Sequence, residues 1–472
     1  MRKFLKWAGI AVLCPVVLFL MLVILLYIPP VQDWAVKKVV AFASEKTGMR
    51  VAVGAVRLSF PLDLSVEDLK IFRPGSGTSE NDTVALAGQL LVDVRLCPLF
   101  RKQVEIDELK FSQLHLNTLD LIDVVQISGK IGAFCMQSHG IDLSKELVKL
   151  DFAELTDAKI KVVLNDSVPQ DTTTSENRWR IQLERLHLKN SAVALNLFSD
   201  SLQLQAVLGD AMVQNGYFDL GKSVYRVEKF DLKGSSLLYD QVFEPHIAGF
   251  DYNHLSLSEL SLAVDSVNYR DPKLDMMVRR CLFKEKSGLA VREISGRLSL
   301  DDQKIHVPDL KIHTSESSLA AALNVDLSSL SDKSPGKSHV RLNASLGKQD
   351  ILHLMGGAPQ DFNKNWPNQP LVVNGLINGN VHRVDFERLN VNIPNRLRAQ
   401  ATGFVINPLD AERMIVDVDF LVQGEDVQFA KSFLDASLQK QINIPKNIAL
   451  GGKVRKVGHS LAADFQIGRA HV

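Results

Sequence analysis

The sequence has no surplus of positive charge and few aromatic residues. Its 54 lysines and arginines are balanced by 54 aspartates and glutamates across 472 residues. Because no basic excess is available to neutralise phosphates, nucleic acid is not expected as a partner. Phe, Tyr and Trp make up only 7% of the chain and form no stacking platform interleaved with Lys and Arg, which supports the same exclusion.

Cysteine is also scarce, with only Cys14, Cys97, Cys135 and Cys281. These four residues lie far apart and none belongs to a CxxC pair. The spacing therefore predicts neither a disulfide framework nor a zinc site. We expect isolated thiols.

Sequence motifs of catalysis are missing as well. The chain has no GxGxxG, phosphate-binding loop, GxSxG, HExxH or Asp-rich calcium loop. His115, His187, His306 and His313 stand at polar positions of alternating segments, where a solvent-facing imidazole is expected. We therefore predict no catalytic residue, no metal ion, no cofactor and no enzymatic activity.

What the chain does have is a long apolar run near its start. Residues 7–28 carry no charge and are numerous enough to cross a bilayer, whereas a cleaved signal peptide has a shorter apolar region and a small-x-small cleavage site. Basic residues crowd positions 1–6, so the positive-inside rule places that segment in the cytoplasm and the rest of the chain outside. In a bacterial chain this predicts a single-pass inner-membrane protein with a periplasmic body. The anchor candidates are Trp7, Leu18, Phe19, Leu20, Leu25 and Tyr27.

Segment 30–48 has the apolar spacing of an amphipathic helix. That helix would either lie along the membrane surface or cap the first strands. From residue 50 the pattern changes to short alternating runs, of which VEIDELKFSQLHLNTLDL at 104–121 is typical. Its apolar residues fall in pairs, with a step of two inside a pair and three between pairs. No helical face fits that rhythm, so each pair indicates a strand and each three-step indicates a bulge or bend that returns the next pair to the same side.

The same rhythm returns at least five times, which predicts a mainly β protein built from a weak repeat. We expect repetitive β structure over 50–330 and its continuation over 331–466. The second part contains two helix-plus-strand repeats, with helices near 348–357 and 425–445, in which Asp350 corresponds to Asp426.

One-sided apolar positions allow two interpretations. They form the core of a closed sandwich, or they line an exposed apolar face of the kind that acyl chains occupy. The candidates for that face are Ile106, Leu109, Phe111, Leu114, Leu116, Leu186, Leu188, Leu260 and Leu262.

The order of features resembles a known family. A basic start and an apolar span are followed by VAVGAVRLSF, LDLSVEDLKIFRP and CPLFRKQVEIDELKFSQLHL. Together they resemble the N-terminal portion of the TamB/AsmA-like proteins of Gram-negative envelopes, most strongly over 1–120 and more weakly to about residue 467.

The resemblance implies an N-terminal transmembrane helix followed by an elongated, curved, repetitive β-sheet groove with a few short helices. It implies phospholipid acyl chains and the inner membrane as partners, with lipid carried between inner and outer membranes. An alternative is a scaffold for outer-membrane protein assembly, acting with a barrel protein of the Omp85 type through a C-terminal region that this chain lacks. Because IGRAHV at 467–472 resembles a translated sequencing adapter, we expect that end to be non-native; the alternative is a short AsmA-like protein with a genuine end.

Overall fold

A computed structural model describes most of the chain after its N-terminal segment. The described residues are 36–38, 40–41, 44–45, 48–59, 63–73, 83–94, 106–118, 125–142, 146–164, 178–197, 201–330, 336–355, 366–410, 412–433, 444–458 and 460–467. Within the predicted amphipathic helix, 36–38, 40–41 and 44–45 are helical. The predicted membrane span at 7–28, with all six anchor candidates, lies outside the described residues. In the part of the chain that is described, no helix is both long and apolar enough to cross a membrane.

Strands hold 74% of the described residues, which confirms the prediction of a mainly β protein. The chain divides into two compact units, Met1–Gly221 and Lys222–Val472. They are called unit 1 and unit 2 below. The sequence also predicts that the type of repeat changes near residue 330. The division into two units does not test that change, which stays a prediction.

Unit 1 contains nine described strands. They are β1 (Arg50–Ala52), β2 (Ala55–Ser59), β3 (Asp63–Phe72), β4 (Thr83–Val94), β5 (Ile106–Asn117), β6 (Val125–Asp142), β7 (Leu147–Leu164), β8 (Arg180–Leu197) and β9 (Leu202–Asp219). β1 and β2 both pair with β3, and from β3 onward each strand pairs with the next. All these pairs are antiparallel except β7–β8, which is parallel. β6 to β9 are 18 residues each, about 60 Å at the usual rise per residue.

A row of unusual backbone positions crosses these strands, and we call it the transverse row. Residues with positive φ stand in it beside glycines on the neighbouring strands, except that Asp157 of β7 and Asn190 of β8 are side by side. Its members are Gly54, Asp68, Gly88, Gln113, Gly132, Asp157, Asn190 and Gly209. The four non-glycine members have φ of 51°, 54°, 53° and 45° in chain order. A left-handed residue inside a strand interrupts the alternation of side chains, so β3, β5, β7 and β8 change phase where they cross this row.

The glycines of the transverse row leave room for these left-handed neighbours. A Cβ on Gly132 would stand 2.9 Å from the Cβ of Asp157, and one on Gly54 would stand 2.9 Å from the Cβ of Asp68. Neither distance is tolerable for two carbon atoms. At these two places the row therefore depends on having a side chain on one strand and none on the next, whereas between β7 and β8 the side chain of Asn190 donates a hydrogen bond to Asp157.

The transverse row explains the rhythm of β5. Gln113 stands in the three-step between Phe111 and Leu114, and the pairing register on both sides of it is unchanged. The preceding three-step, from Ile106 to Leu109, contains a true register shift against β4. Bends at these two steps are therefore confirmed, one as a left-handed residue and one as a bulge.

Unit 2 is an antiparallel series in which each strand pairs with the next. Its strands are β10 (Val224–Gln241), β11 (His254–Arg270), β12 (Lys273–Glu285), β13 (Ala290–Leu300), β14 (Lys304–Thr314), β15 (Ser318–Asp326), β16 (Ser338–Leu346), β17 (Leu371–Gly379), β18 (Arg383–Ile393), β19 (Leu397–Ile406), β20 (Ile415–Glu425), β21 (Asn447–Val457) and β22 (Ser460–Ile467). Sequential hairpins of this kind need only short connections, and most of them here are short.

Short helices interrupt unit 2 after β15, β16 and β20. A 3-10 helix covers Leu327–Leu330, the α-helix α1 covers Lys348–Met355, and a second 3-10 helix covers Val427–Phe433. The predicted helix near 348–357 thus corresponds to α1. Where a helix is predicted over 425–445, the structure has the tighter 3-10 form, and 434–443 lie outside the described residues.

The helices of unit 2 cover one small core. Trp366, Ile393, Val427 and Phe429 are buried together, and the Trp366 and Phe429 rings meet edge to face at 5.4 Å between centroids. Partly buried neighbours from α1, β17, β19 and β21 surround them. This is a small local core where helices lie against strand ends. The apolar side chains of the long strands are arranged differently, in rows across the paired strands.

Candidate functional site: the apolar faces of the two units

Strand pairing in unit 1 places apolar residues from many strands in rows on one side of the sheet. Paired residues of neighbouring strands point to the same side. The first row is Leu64, Val92, Leu109, Met136, Ala153, Leu186 and Val213, and the second is Val66, Leu90, Phe111, Phe134, Leu155, Leu188 and Ala211. The rows beyond the transverse row include Leu69, Ala87, Leu114, Ile131, Ala158 and Leu208, then Ile71, Ala85, Leu116, Ile160, Val193 and Ala206. We call this side the apolar face of unit 1.

Six of the seven candidate residues of unit 1 fall into these rows, whereas Ile106 pairs with Val94 beyond the register shift of β5. Leu109 and Leu186 share the first row, and Phe111 and Leu188 share the second. Leu114 and Leu116 continue the face beyond Gln113, because the phase change there returns them to the same side. The structure therefore brings together residues about 75 positions apart in sequence.

Small and large residues of this face differ in exposure at many positions, although Val66 and Met136 are also buried. Ala153, Ala158 and Ala211 are buried, at 4%, 0% and 1% exposed. The large candidates of β5 and β8 are only half-buried. Phe111 stacks on Phe134 at 5.6 Å between ring centroids. Alanines sheltered between larger neighbours that remain partly exposed are typical of an uncovered layer, whereas the interior of a sandwich buries its large side chains. Of the two predicted interpretations, this pattern favours the exposed face.

Unit 2 has an apolar face of the same design. One of its rows is Ala344, Val373, Val391, Ala399, Val422 and Leu450, and another is Val340, Ile377, Phe386, Val418 and Val454. Leu260 and Leu262, the remaining candidates, lie in β11, where Leu260 is buried and Leu262 is half-buried between Leu232 and Cys281. These two residues belong to a different unit from the other seven.

The opposite side of unit 1 is polar and its charges are paired across strands. Glu154 on β7 accepts from Lys189 at 2.8 Å and lies 3.4 Å from His187 Nδ1, while Nε2 of the same imidazole is 3.0 Å from Asp210. The expectation that His187 faces solvent is therefore wrong. Its side chain is only 15% exposed, because neighbouring strands place a carboxylate on either side of the ring.

A second polar cluster surrounds Cys135. Lys110 lies 2.6 Å from Glu108, and this hydrogen bond holds the pKa of the Glu108 carboxyl below its ordinary value. The thiol of Cys135 is 3.9 Å from the same carboxylate. Burial first, and then the charge of Glu108, raise the pKa of the Cys135 thiol. Cys135 and Cys281 are free thiols, as predicted, whereas Cys14 and Cys97 lie outside the described residues.

Unit 2 repeats this pattern of cross-strand charge pairs. Arg279 lies 3.1 Å from Asp231 and 2.7 Å from Asp265. Asp417 lies 2.6 Å from Lys453 and 3.1 Å from Arg455, and the hydrogen bond from Lys453 is the main reason that the pKa of its carboxyl is lowered. In both units, then, one side carries partly exposed apolar rows, and charged residues on the other side form ion pairs across strands.

Sequence reasoning missed one group of side chains. His246, Asp251 and His254 come together between β10 and β11, with one ligand-type atom from each within 4.8 Å of the others. The three residues form the pattern H-x4-D-x2-H at 246–254. That spacing differs from those of the zinc and calcium motifs named in the sequence analysis.

No protein-family model, curated protein or solved structure matches this chain. The class of the protein is therefore described by the geometry of its fold alone. The chain consists of two strand-dominated units, each with a long, partly exposed apolar face backed by paired charges.

Proposed function

We propose that the protein is a lipid conduit in which phospholipid acyl chains move along the apolar faces. In this proposal the N-terminal segment anchors the chain in the inner membrane and the β units carry lipid toward the outer membrane. The resemblance to TamB/AsmA-like proteins supports the same function. No residue acts as a catalyst, because the work consists of keeping acyl chains out of water.

The observation that carries the proposal is the series of apolar rows in which many large side chains are only half-buried. An acyl chain needs a continuous apolar track and no specific polar partner along its length. Rows that continue through the phase change at Gln113 supply such a track, since the apolar side does not switch at the bend. A face of this size exposes more apolar surface than a soluble protein usually tolerates without a ligand or partner.

The polar side of the sheet is consistent with this role. A phospholipid headgroup is zwitterionic or anionic and stays hydrated, so it has no place on the apolar rows. Ion pairs such as Glu154 with Lys189 leave the polar side without a dominant sign of charge. Lipid binding is therefore expected to depend on the acyl chains and only weakly on the headgroup.

The test places a charge on each side of the same strand. Phe111→Asp introduces a carboxylate on the apolar face, and the matched control Ser112→Asp introduces the same group one residue away on the polar side. Because Phe111 is half-buried, its replacement remains solvated and the fold is expected to survive. The assay is quantitative mass spectrometry of phospholipid copurifying with the full chain, with circular dichroism as the check of folding.

We expect Phe111→Asp to reduce bound phospholipid severalfold and Ser112→Asp to leave it unchanged. Equal lipid content in the two variants and the unmodified chain would contradict the conduit. Unfolding of Phe111→Asp alone would show instead that the face is a covered core.

A second candidate function is a scaffold for outer-membrane protein precursors. It is favoured by β22, which among the described strands pairs only with β21. Such an edge can accept an added strand. A photo-crosslinking residue at exposed Ala463 distinguishes the two functions: a barrel-protein adduct, without bound phospholipid, favours the scaffold.

A further inference from the structure

The connection between β10 and β11 is a structured loop with an unusual set of side chains. Residues 242–253 leave β10 at Gln241, whose backbone N–H donates to the carbonyl of Asn253 at 2.9 Å. The loop returns through Asp251, whose carbonyl accepts from the backbone N–H of His254 at 3.2 Å. Asp251 and His254 are buried, at 0% and 3% exposed, whereas the side chain of His246 is 73% exposed.

Three atoms converge in this loop. Oδ2 of Asp251 lies 2.9 Å from Nδ1 of His254 and 3.6 Å from Nδ1 of His246. Ligand bonds of about 2.0–2.1 Å in a tetrahedral zinc site place neighbouring ligand atoms about 3.3 Å apart. The two observed distances lie on either side of that value, so small side-chain movements would bring the three atoms to coordinating positions.

Neighbouring polar groups orient these side chains in the way that is common around metal ligands. The other nitrogen of His254, Nε2, lies 3.6 Å from Oδ1 of Asp240, and metal-binding imidazoles commonly direct their second nitrogen to a carboxylate. Backbone N–H groups of Ile247 and Asn253 donate to the two oxygens of Asp251 at 3.1 and 3.2 Å. Burial alone would raise the pKa of the Asp251 carboxyl, but these bonds and the one from His254 hold it below its ordinary value. The carboxylate is thus ionised and fixed in place.

We propose that His246, Asp251 and His254 bind a zinc-class divalent transition-metal ion. Two imidazoles and one carboxylate suit zinc and its neighbours, while calcium and magnesium require mainly oxygen ligands. The exposure of His246 leaves the fourth position open to water or to a ligand from another molecule. This proposal is independent of lipid transport.

The experiment measures metal uptake by the full chain, purified without a polyhistidine tag and stripped with a chelator. Titration calorimetry with zinc chloride is expected to show one ion per chain, and magnesium chloride is expected to show none. Cobalt chloride is expected to give the visible absorption of tetrahedral coordination. Zinc is also expected to raise the melting temperature.

Three variants decide whether the uptake belongs to this loop. His246→Ala removes an exposed ligand without opening a core and is expected to abolish uptake. Asp240→Asn, a positioning change, is expected to weaken affinity by about tenfold or more. The matched control is His139→Ala. The side chain of His139 is 70% exposed and contacts the carboxylate of Asp151, but among the described residues it belongs to no group of three possible metal ligands.

The proposal is overturned if the full chain takes up no zinc. It is equally overturned if His246→Ala binds zinc as the unmodified chain does, or if His139→Ala is the variant that loses it. In those cases hydrogen bonds to Asp251 from Ile247, Asn253 and His254 hold the loop without a metal ion.

Discussion

Substitution of Gly132 by alanine is expected to open the pairing of β6 with β7 locally. The new Cβ would lie 2.9 Å from the Cβ of Asp157 and 3.2 Å from the carbonyl oxygen of Thr156. Ordinary contacts between such atoms are longer by half an ångström or more, and the neighbouring atoms belong to backbone or to a Cβ that cannot swing away. One of the two strands must therefore shift.

The magnitude follows from two opposing effects. Overpacking of this kind costs about 1–3 kcal/mol, while replacing glycine by alanine restricts the unfolded chain and returns about 0.4–1 kcal/mol. The net loss is about 1–2 kcal/mol of local opening free energy. That loss corresponds to a population of the open state about 5 to 30 times larger.

Amide hydrogen exchange followed by mass spectrometry is the suitable assay, because it reports on β6 and β7 separately from the rest of the chain. Peptides from these strands are expected to exchange about 5 to 30 times faster in Gly132→Ala. The matched control is Gly375→Ala, another glycine inside a strand, whose added Cβ would meet no atom closer than Cδ1 of Leu389 at 3.4 Å. We expect almost no change in exchange for that variant.

A second substitution tests the cause. Asp157→Gly removes the Cβ that would collide with Ala at position 132, so the double variant is expected to lose less than the sum of the two single losses. The reasoning is refuted if Gly132→Ala exchanges as the unmodified chain does, or if the two losses simply add.

Two further predictions concern titrating groups. Hydrogen bonds from Arg297 and Ser299 lower the pKa of the Asp275 carboxyl. These bonds therefore stabilise the fold at pH values above the ordinary carboxyl pKa of 3.8. The stabilisation is lost as the pH falls through the lowered pKa of the folded state. Asp275→Asn should therefore lower the melting temperature at neutral pH and match the unmodified chain in strong acid; a difference that persists there would contradict this. Cys135, with its raised pKa, should react slowly with iodoacetamide, and Glu108→Gln should speed that reaction but leave Cys281 unaffected; equal acceleration of both thiols would point to general loosening instead.

Much of the strand structure could be predicted from local pattern. The pairs in β5 predicted alternation, and the three-steps predicted bends, because side-chain period is a property of the backbone alone. The form of each bend could not be predicted. Asp107 lies in a step that became a register bulge, whereas Gln113 lies in a step that became a left-handed residue, and the partner strand decides between them.

The apolar face of unit 1 shows the same division between what local pattern predicts and what strand pairing decides. That Leu109 and Leu186 are one-sided residues was readable from the sequence, but their place in a common row depends on the register of the intervening pairs. The parallel pairing of β7 with β8 had no local signal. His187 was misjudged for the same reason, since the two carboxylates beside it come from β7 and β9.

The sequence by itself determined a mainly β protein whose segments each keep apolar residues on one side, because alternation is encoded residue by residue. Only the tertiary structure decided that Gly88 and Gly132 would flank Gln113 in the transverse row, and that His246 would approach Asp251 and His254. The physical reason is the same for both. Strand register and loop closure bring together groups whose distance in space cannot be inferred from their separation along the chain.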